Sequence, residues 1–166
     1  DGDWSSDVCS SDLDVGSGDG QVWKVISLGD ITGDIFAGAN IGWVHAVNGS
    51  VTGDVRAGCR LFDVVAINGD VTGDVFGQLG IGTILAIQGD VSSDSIWSGG
   101  WIDQILAIGG AITTDIHARS IGVVGATNGL IGSPTVEGGD LGSLSDDAAT
   151  SIETTSGDIG FVFRPL

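Results

Sequence analysis

Five aspartates recur at nearly constant intervals, Asp34, Asp54, Asp74, Asp94 and Asp115, and a second set, Asp30, Asp70, Asp90 and Asp158, runs beside them. Carboxylates in a row are hard oxygen donors, and the chemistry they suggest is Ca²⁺ binding, with Asp34, Asp54, Asp74 and Asp94 as the ligand candidates. Like charges stacked about 5 Å apart repel by roughly 0.8 kcal/mol per pair even in water, so something must offset them. A competing reading needs no metal: beside glycine, each Asp accepts backbone N–H bonds within its own turn. The absence of any Gly-Gly-x-Gly-x-Asp nonapeptide favours that second reading, with no cofactor.

A second set of side chains, Phe36, Arg56, Phe76, Trp97 and His117, recurs with the same interval and alternates with aliphatic neighbours. That parity points it outward, as a contact face whose rings can stack on sugar rings or on a partner surface. Val65, Ile67, Leu85, Ile87, Leu106 and Ile108 form another outward strip, apolar enough to suggest lateral self-association. Catalysis has less to build on. His45 and His117 fall at different positions of the repeat, the five basic residues are scattered, and no nucleophile pairs with either histidine. The expectation is therefore a protein that is not an enzyme, with polysaccharide cleavage, which would need Arg56 or Arg119 beside a carboxylate, as the remaining catalytic class. Cys59 shares a position with Ala39 and Leu79, which suits a small buried hydrophobe better than a reactive thiol.

What must hold these side chains is a repeat. Gly69-Asp70-Val71-Thr72-Gly73-Asp74-Val75 has counterparts at Gly29–Ile35 and Gly49–Val55, 20 residues apart, and a worn copy at Gly89–Asp94. A fixed period of this length marks a solenoid, whose coils bury their apolar side only against the coils above and below. Aligned coils give columns: Ile41, Leu61, Ile81, Ile102, Ile121, Leu141; Val44, Val64, Ile84, Ile105, Val124, Leu144; Ala46, Ala66, Ala86, Ala107, Ala126; and Ile35, Val55, Val75, Ile96, Ile116. β-Branched residues in alternation suit short strands, with glycines at the bends. The expected fold is all-β: a single-stranded right-handed parallel β-helix of about seven coils of about 20 residues. Coil four carries one extra residue near Ser95, and coil five is one shorter.

The chain of 166 residues has a formal charge of −17, from 22 acidic residues against five basic ones. Phosphate neutralisation needs the opposite balance, so nucleic acid is excluded as a partner. No apolar run approaches the roughly 18 residues of a transmembrane helix. Residues 3–13, Asp-Trp-Ser-Ser-Asp-Val-Cys-Ser-Ser-Asp-Leu, resemble a translated sequencing adapter, so residues 1–13 are read as an artefact and no targeting segment is sought there. Residues 14–20 read as a Gly/Asp/Ser linker, and 21–166 as the solenoid fragment, with an irregular insertion near 145–151.

Val51-Thr52-Gly53-Asp54-Val55-Arg56-Ala57-Gly58 and the related Ile31–Gly38 resemble the β-solenoid repeats of bacterial exported and cell-surface proteins, adhesin-like ones included, and also those of the bactofilins, which are cytosolic and polymer-forming. The longer coil, the tryptophans and the insertion depart from the bactofilin pattern. The resemblance implies a structural or adhesive segment of a surface or secreted bacterial protein, located outside the cell. A bactofilin-like scaffold and a polysaccharide-binding or polysaccharide-cleaving β-helix are the alternatives, and a polysaccharide, another protein or a second copy is the implied partner.

Overall fold

The computed structural model describes residues 15–128, together with the backbone of five strands outside them. In chain order the strands are β1 (Trp4–Val8), β2 (Val15–Ser17), β3 (Val22–Ser27), β4 (Ile35–Ala37), β5 (Ile41–Ala46), β6 (Val55–Ala57), β7 (Arg60–Ala66), β8 (Val75–Gly77), β9 (Gly80–Ala86), β10 (Ser95–Ser98), β11 (Trp101–Ala107), β12 (Asp115–Ala118), β13 (Ser120–Ala126), β14 (Pro134–Val136), β15 (Leu141–Ser145), β16 (Glu153–Thr154) and β17 (Val162–Phe163). The odd-numbered strands form one nine-stranded parallel sheet and the even-numbered ones an eight-stranded parallel sheet, each in sequence order. A third side is carried by single bridges, Ile31 to Val51 to Val71 to Val91 to Ile112. The molecule is thus a parallel β-solenoid with a long face, a narrow bridged face and a short face.

Register confirms the columns. Ile41 pairs with Leu61, Leu61 with Ile81, Ile81 with Ile102 and Ile102 with Ile121, and the Val44, Ala46 and Ile35 columns pair in the same way. These side chains fill the interior, and Ile41, Val44, Leu61, Val64, Ile81, Ile84 and Ile105 are fully buried. Burial stabilises each by roughly 1.5–3 kcal/mol, and the columns stack from each turn onto its neighbours. The extra residue of turn four lies between Val91 and Ile96: Val71 bridges to Val91 at the ordinary interval, whereas Val75 pairs with Ile96 one residue late. Turn five recovers the period, since Trp101 pairs with Ser120 and Ile102 with Ile121.

The described residues complete about six turns, one fewer than the seven expected. The expected seventh coil, with its insertion near 145–151, lies outside the described residues apart from strand backbone, where Ile121 pairs with Leu141 and Leu144 with Val162. Within the stretch read as a linker, Val15–Ser17 forms β2 against β4. Trp4–Val8, inside the adapter-like segment, forms β1 along β3.

A local irregularity shapes the long face. Between the buried Ile41 and the buried Val44 stand two residues, Gly42 and Trp43, where a regular strand would place one. The same doublet recurs as Trp23-Lys24, Phe62-Asp63, Gly82-Thr83, Asp103-Gln104 and Gly122-Val123. Every long strand among the described residues therefore breaks its alternation at the same level, and because neighbouring strands share the break the register stays one to one and the long face gains a margin two columns wide.

Candidate aromatic contact site

The column Phe36, Arg56, Phe76, Trp97 and His117 lies in register along the short face, its neighbours on each strand buried. Its rings face one another. Phe76 and Trp97 stack with centroids 4.7 Å apart and planes 6° from parallel, and Trp97 and His117 with centroids 6.1 Å apart and planes at 5°. The shorter spacing equals the strand separation of a sheet, so consecutive turns bring consecutive rings into contact. Phe76, Trp97 and His117 consequently spend ring faces on one another, while Phe36, separated from them by Arg56, stays 49% exposed. Arg56 is tied to Asp54 by an Nη2–Oδ2 contact of 2.7 Å. Beside Trp97 and His117 a corner cavity of about 310 Å³ is completed by Gln78, Leu79, Ser98, Gly99 and Arg119. It holds an imidazole and a guanidinium but no carboxylate among its lining residues, so the acid–base pair needed for glycan cleavage is not assembled around it.

The aspartate rows correct one expectation. The carboxylates do not satisfy their own turns; they reach across to the next one. Asp34 Oδ1 accepts the Asp54 N–H at 2.9 Å, Asp54 Oδ1 that of Asp74 at 3.0 Å and Asp74 Oδ1 that of Ser95 at 2.9 Å. In the second row Asp30 bonds Ser50 N–H, Asp70 bonds Asp90 N–H and Asp90 bonds Ala111 N–H. Ser50 occupies the place of an aspartate, and its hydroxyl accepts the Asp70 N–H at 3.0 Å. The reason is reach: with parallel strands about 4.8 Å apart, a one-carbon side chain directed along the axis meets the amide of the next turn. Among the described residues no three His, Cys, Asp or Glu side chains converge in the manner of a metal site. Cys59 is a free thiol, half-buried at a corner in line with Ala39 and Leu79.

Aromatic faces are instead exposed on the two-column margin of the long face, where the sequence reading did not place a site. Trp23, Trp43, Phe62 and Trp101, with Asp63, Thr83, Asp103, Gly42 and Gly82, line an open groove of about 400 Å³. Trp23, Trp43 and Phe62 are 47%, 50% and 42% exposed, which is unusual for rings of this size on an ordered sheet. Glycine keeps the rings apart. A Cβ on Gly42 would meet the backbone of Trp23, and one on Gly82 the backbone of Phe62, so this column runs Trp23, Gly42, Phe62, Gly82 and Asp103, with a glycine between its two rings. Rings here have no ring directly above them and are not drawn into a stack. Trp101 lies over Gly80, where a methyl group would fall 2.6 Å from its Cε2, and the Arg60 guanidinium stands 5.9 Å from its ring centroid. The sequence did carry one signal: Ile41-Gly42-Trp43-Val44, Ile81-Gly82-Thr83-Ile84 and Ile121-Gly122-Val123-Val124 repeat the Ile-Gly step every second coil.

Next to this groove, His45 occupies the outward column between Ile26 and Val65. Its Nε2 is buried without a hydrogen-bond partner, and burial lowers the imidazole pKa from 6.5, against a smaller raising effect of Asp63 and with a lesser lowering effect of Lys24. Val65, Ile67, Leu85, Ile87 and Leu106 continue the long face as a half-buried apolar strip, ending in Ile108, which is exposed. No helix among the described residues is long and apolar enough to cross a membrane. Comparison of the chain with family models, with curated proteins and with solved structures gives no match.

Proposed function

We propose that this chain is a non-enzymatic structural and adhesive repeat segment of an exported or surface-displayed bacterial protein, and that it makes contact through the aromatic groove of the long face. The observation that carries this reading is the open groove on the long face, where Trp23, Trp43 and Phe62 stay about half exposed on a rigid sheet and Gly42 puts no side chain between Trp23 and Phe62. Rigid elements hold a contact surface more precisely than loops, and stacked turns fix every ring relative to the next. The short-face column supports the same division of labour, since Phe76, Trp97 and His117 stack on each other from turn to turn.

The test is a binding array of neutral glycans, acidic glycans and basic peptides probed with the chain and with a Trp43→Ala/Trp101→Ala variant. Capture of one ligand class that falls at least about tenfold in the variant supports the reading. Capture that ignores the substitutions, or none across the array, overturns it. Thermal melting of the variant provides the folding control.

A self-assembling scaffold, like the bactofilins in kind, is the second reading, and the apolar strip from Val65 to Ile108 favours it. It predicts filaments or lateral oligomers in electron micrographs of the purified chain, lost on Leu85→Lys; a monomer at all concentrations rules it out.

A further inference from the structure

We propose that the corner cavity beside Trp97 and His117 is a second binding site, separate from the groove, and that it takes a small organic carboxylate through the Arg119 guanidinium. The repeat itself breaks at this place. Three residues separate Phe76 from Gly80, and three separate Trp97 from Trp101, whereas two separate His117 from Ser120, which lie in register with that second pair. The residue that turn five lacks is therefore lacking at this corner. The corner one turn earlier is bare: Gly99 and Gly100 stand there, and a Cβ on either would meet the carbonyl oxygen of Gln78 or of Leu79. A bare turn with Gln78 and Leu79 on one side and Arg119 on the other leaves the cavity of about 310 Å³, at the lower end of the range for ligand sites.

The lining selects an anion. Trp97 is stacked by Phe76 from one neighbouring strand and by His117 from the other, with interplanar angles of 6° and 5°. It meets the cavity with its rim, since Cη2 would lie 3.0 Å from a Cβ on Gly99. The rim of an aromatic ring is the positive part of its quadrupole and suits an anion, as the face suits a cation. Arg119 is exposed, has no carboxylate partner among the described residues, and offers the planar fork that matches a carboxylate at two points. Gln78 adds an amide donor, and Leu79, itself exposed, an apolar ledge for the body of the ligand. The Ser98 hydroxyl takes no part, because it donates to the Trp101 carbonyl and accepts the Gly100 N–H. No carboxylate lines the cavity, and exposed charges farther off are screened beyond about 8 Å at physiological ionic strength. The net charge of −17 acts on whatever extends past the corner, so the ligand carries a single acidic group and is not a polyanion.

Proton–nitrogen correlation NMR of the full chain at neutral pH, titrated with galacturonate and with N-acetylphenylalanine, tests this. Galactose and N-acetylphenylalanine amide are the uncharged counterparts. A carboxylate is expected to shift the Gly99 and Gly100 amides and the Trp97 indole N–H, and to bind about tenfold more tightly than its counterpart. A preference within the sugar pair alone makes the source a uronate, one within the amino-acid pair alone makes it a peptide carboxyl terminus, and one within both makes the carboxylate group itself sufficient; each supports the assignment. Arg119→Gln should abolish the preference, and Arg119→Lys, which keeps the charge without the fork, should retain part of it. Arg119 is exposed, so neither variant disturbs the core. Equal affinity within both pairs, shifts confined to other parts of the rod, or a preference that survives Arg119→Gln overturns the proposal.

Discussion

His45 is the described side chain most exposed to the consequences of pH. Its folded pKa is lowered by burial, so the unfolded chain takes up the proton first as pH falls. Stability linked to His45 is therefore fully present above 6.5 and is lost as pH drops below that value through the lowered folded pKa. Val65 and Leu85 occupy the same column in the next two turns, so His45→Val fits the site. Thermal midpoints of the chain and of His45→Val are expected to change in parallel above pH 7 and to diverge between pH 6.5 and 5, the chain falling faster; parallel curves throughout would disprove the linkage. The aspartates allow a sharper comparison. Asp70→Ala leaves the Asp90 N–H without its acceptor and should cost about 1 kcal/mol, whereas Asp70→Asn keeps an acceptor oxygen, removes one charge from the row and should cost less, read from denaturant midpoints.

The turns show what a repeat unit requires. On the narrow bridged face the residue two places after each bridge points inward, and it is Gly53 or Gly73 in the regular turns but Ser93 and Thr114 in turns four and five. A Cβ on Gly53 would collide with the carbonyl oxygen of Gly33, while Ser93 Oγ and Thr114 Oγ1 have room to hydrogen-bond each other at 2.9 Å in the interior. The residue added before Ile96 falls in the same turn as Ser93. Gly53→Ala should therefore cost about 1–3 kcal/mol by overpacking, and Ser93→Ala only the hydrogen bond, about 1 kcal/mol; equal losses in thermal denaturation would refute the difference.

These same details explain what was legible in the sequence. Val and Ile columns announce themselves because a stacked interior repeats its chemistry in every turn, so Val44, Val64 and Ile84 align by eye. The aromatic groove does not repeat that way. Trp23, Trp43, Phe62 and Trp101 fall in three different columns, brought together where each long strand sets two successive residues outward, and that break in alternation adds no residue to the coil length. The direction of the Asp hydrogen bonds was hidden for a related reason: Gly-Asp reads identically whether the carboxylate turns back on its own corner or reaches onward.

Across the whole rod, the pairing of Leu61 with Ile81 means that residues 61–80 constitute one complete turn. Excising them joins Arg60 to Ile81 in the same phase, and because each turn is stabilised by its neighbours, the shortened chain should fold with a β-sheet circular dichroism spectrum and a lower thermal midpoint. Excising ten residues instead would set long-face side chains against the short face and should abolish cooperative melting. If both deletions melt alike, the turns are not independent units. The one-turn deletion also removes Phe62 from the groove and so should lower capture on the ligand array while remaining folded.

The carboxylate-to-amide contacts have a sense as well as a strength. In the six aspartate-to-amide contacts given above for the described residues, the acceptor belongs to the earlier turn and the donor to the later one. The rod is consequently a one-way arrangement of hooks and eyes, and damage to it has a downstream side. Loss of the Asp70 hook should loosen the turn that begins at Asp90 and leave the turn behind it clasped. Amide hydrogen exchange on Asp70→Ala would register this as faster exchange at Asp90, with the Asp70 amide, still held by Ser50, unchanged. A lesion in such a molecule would be felt mainly toward its carboxyl end, as a zip parts from the broken tooth onward.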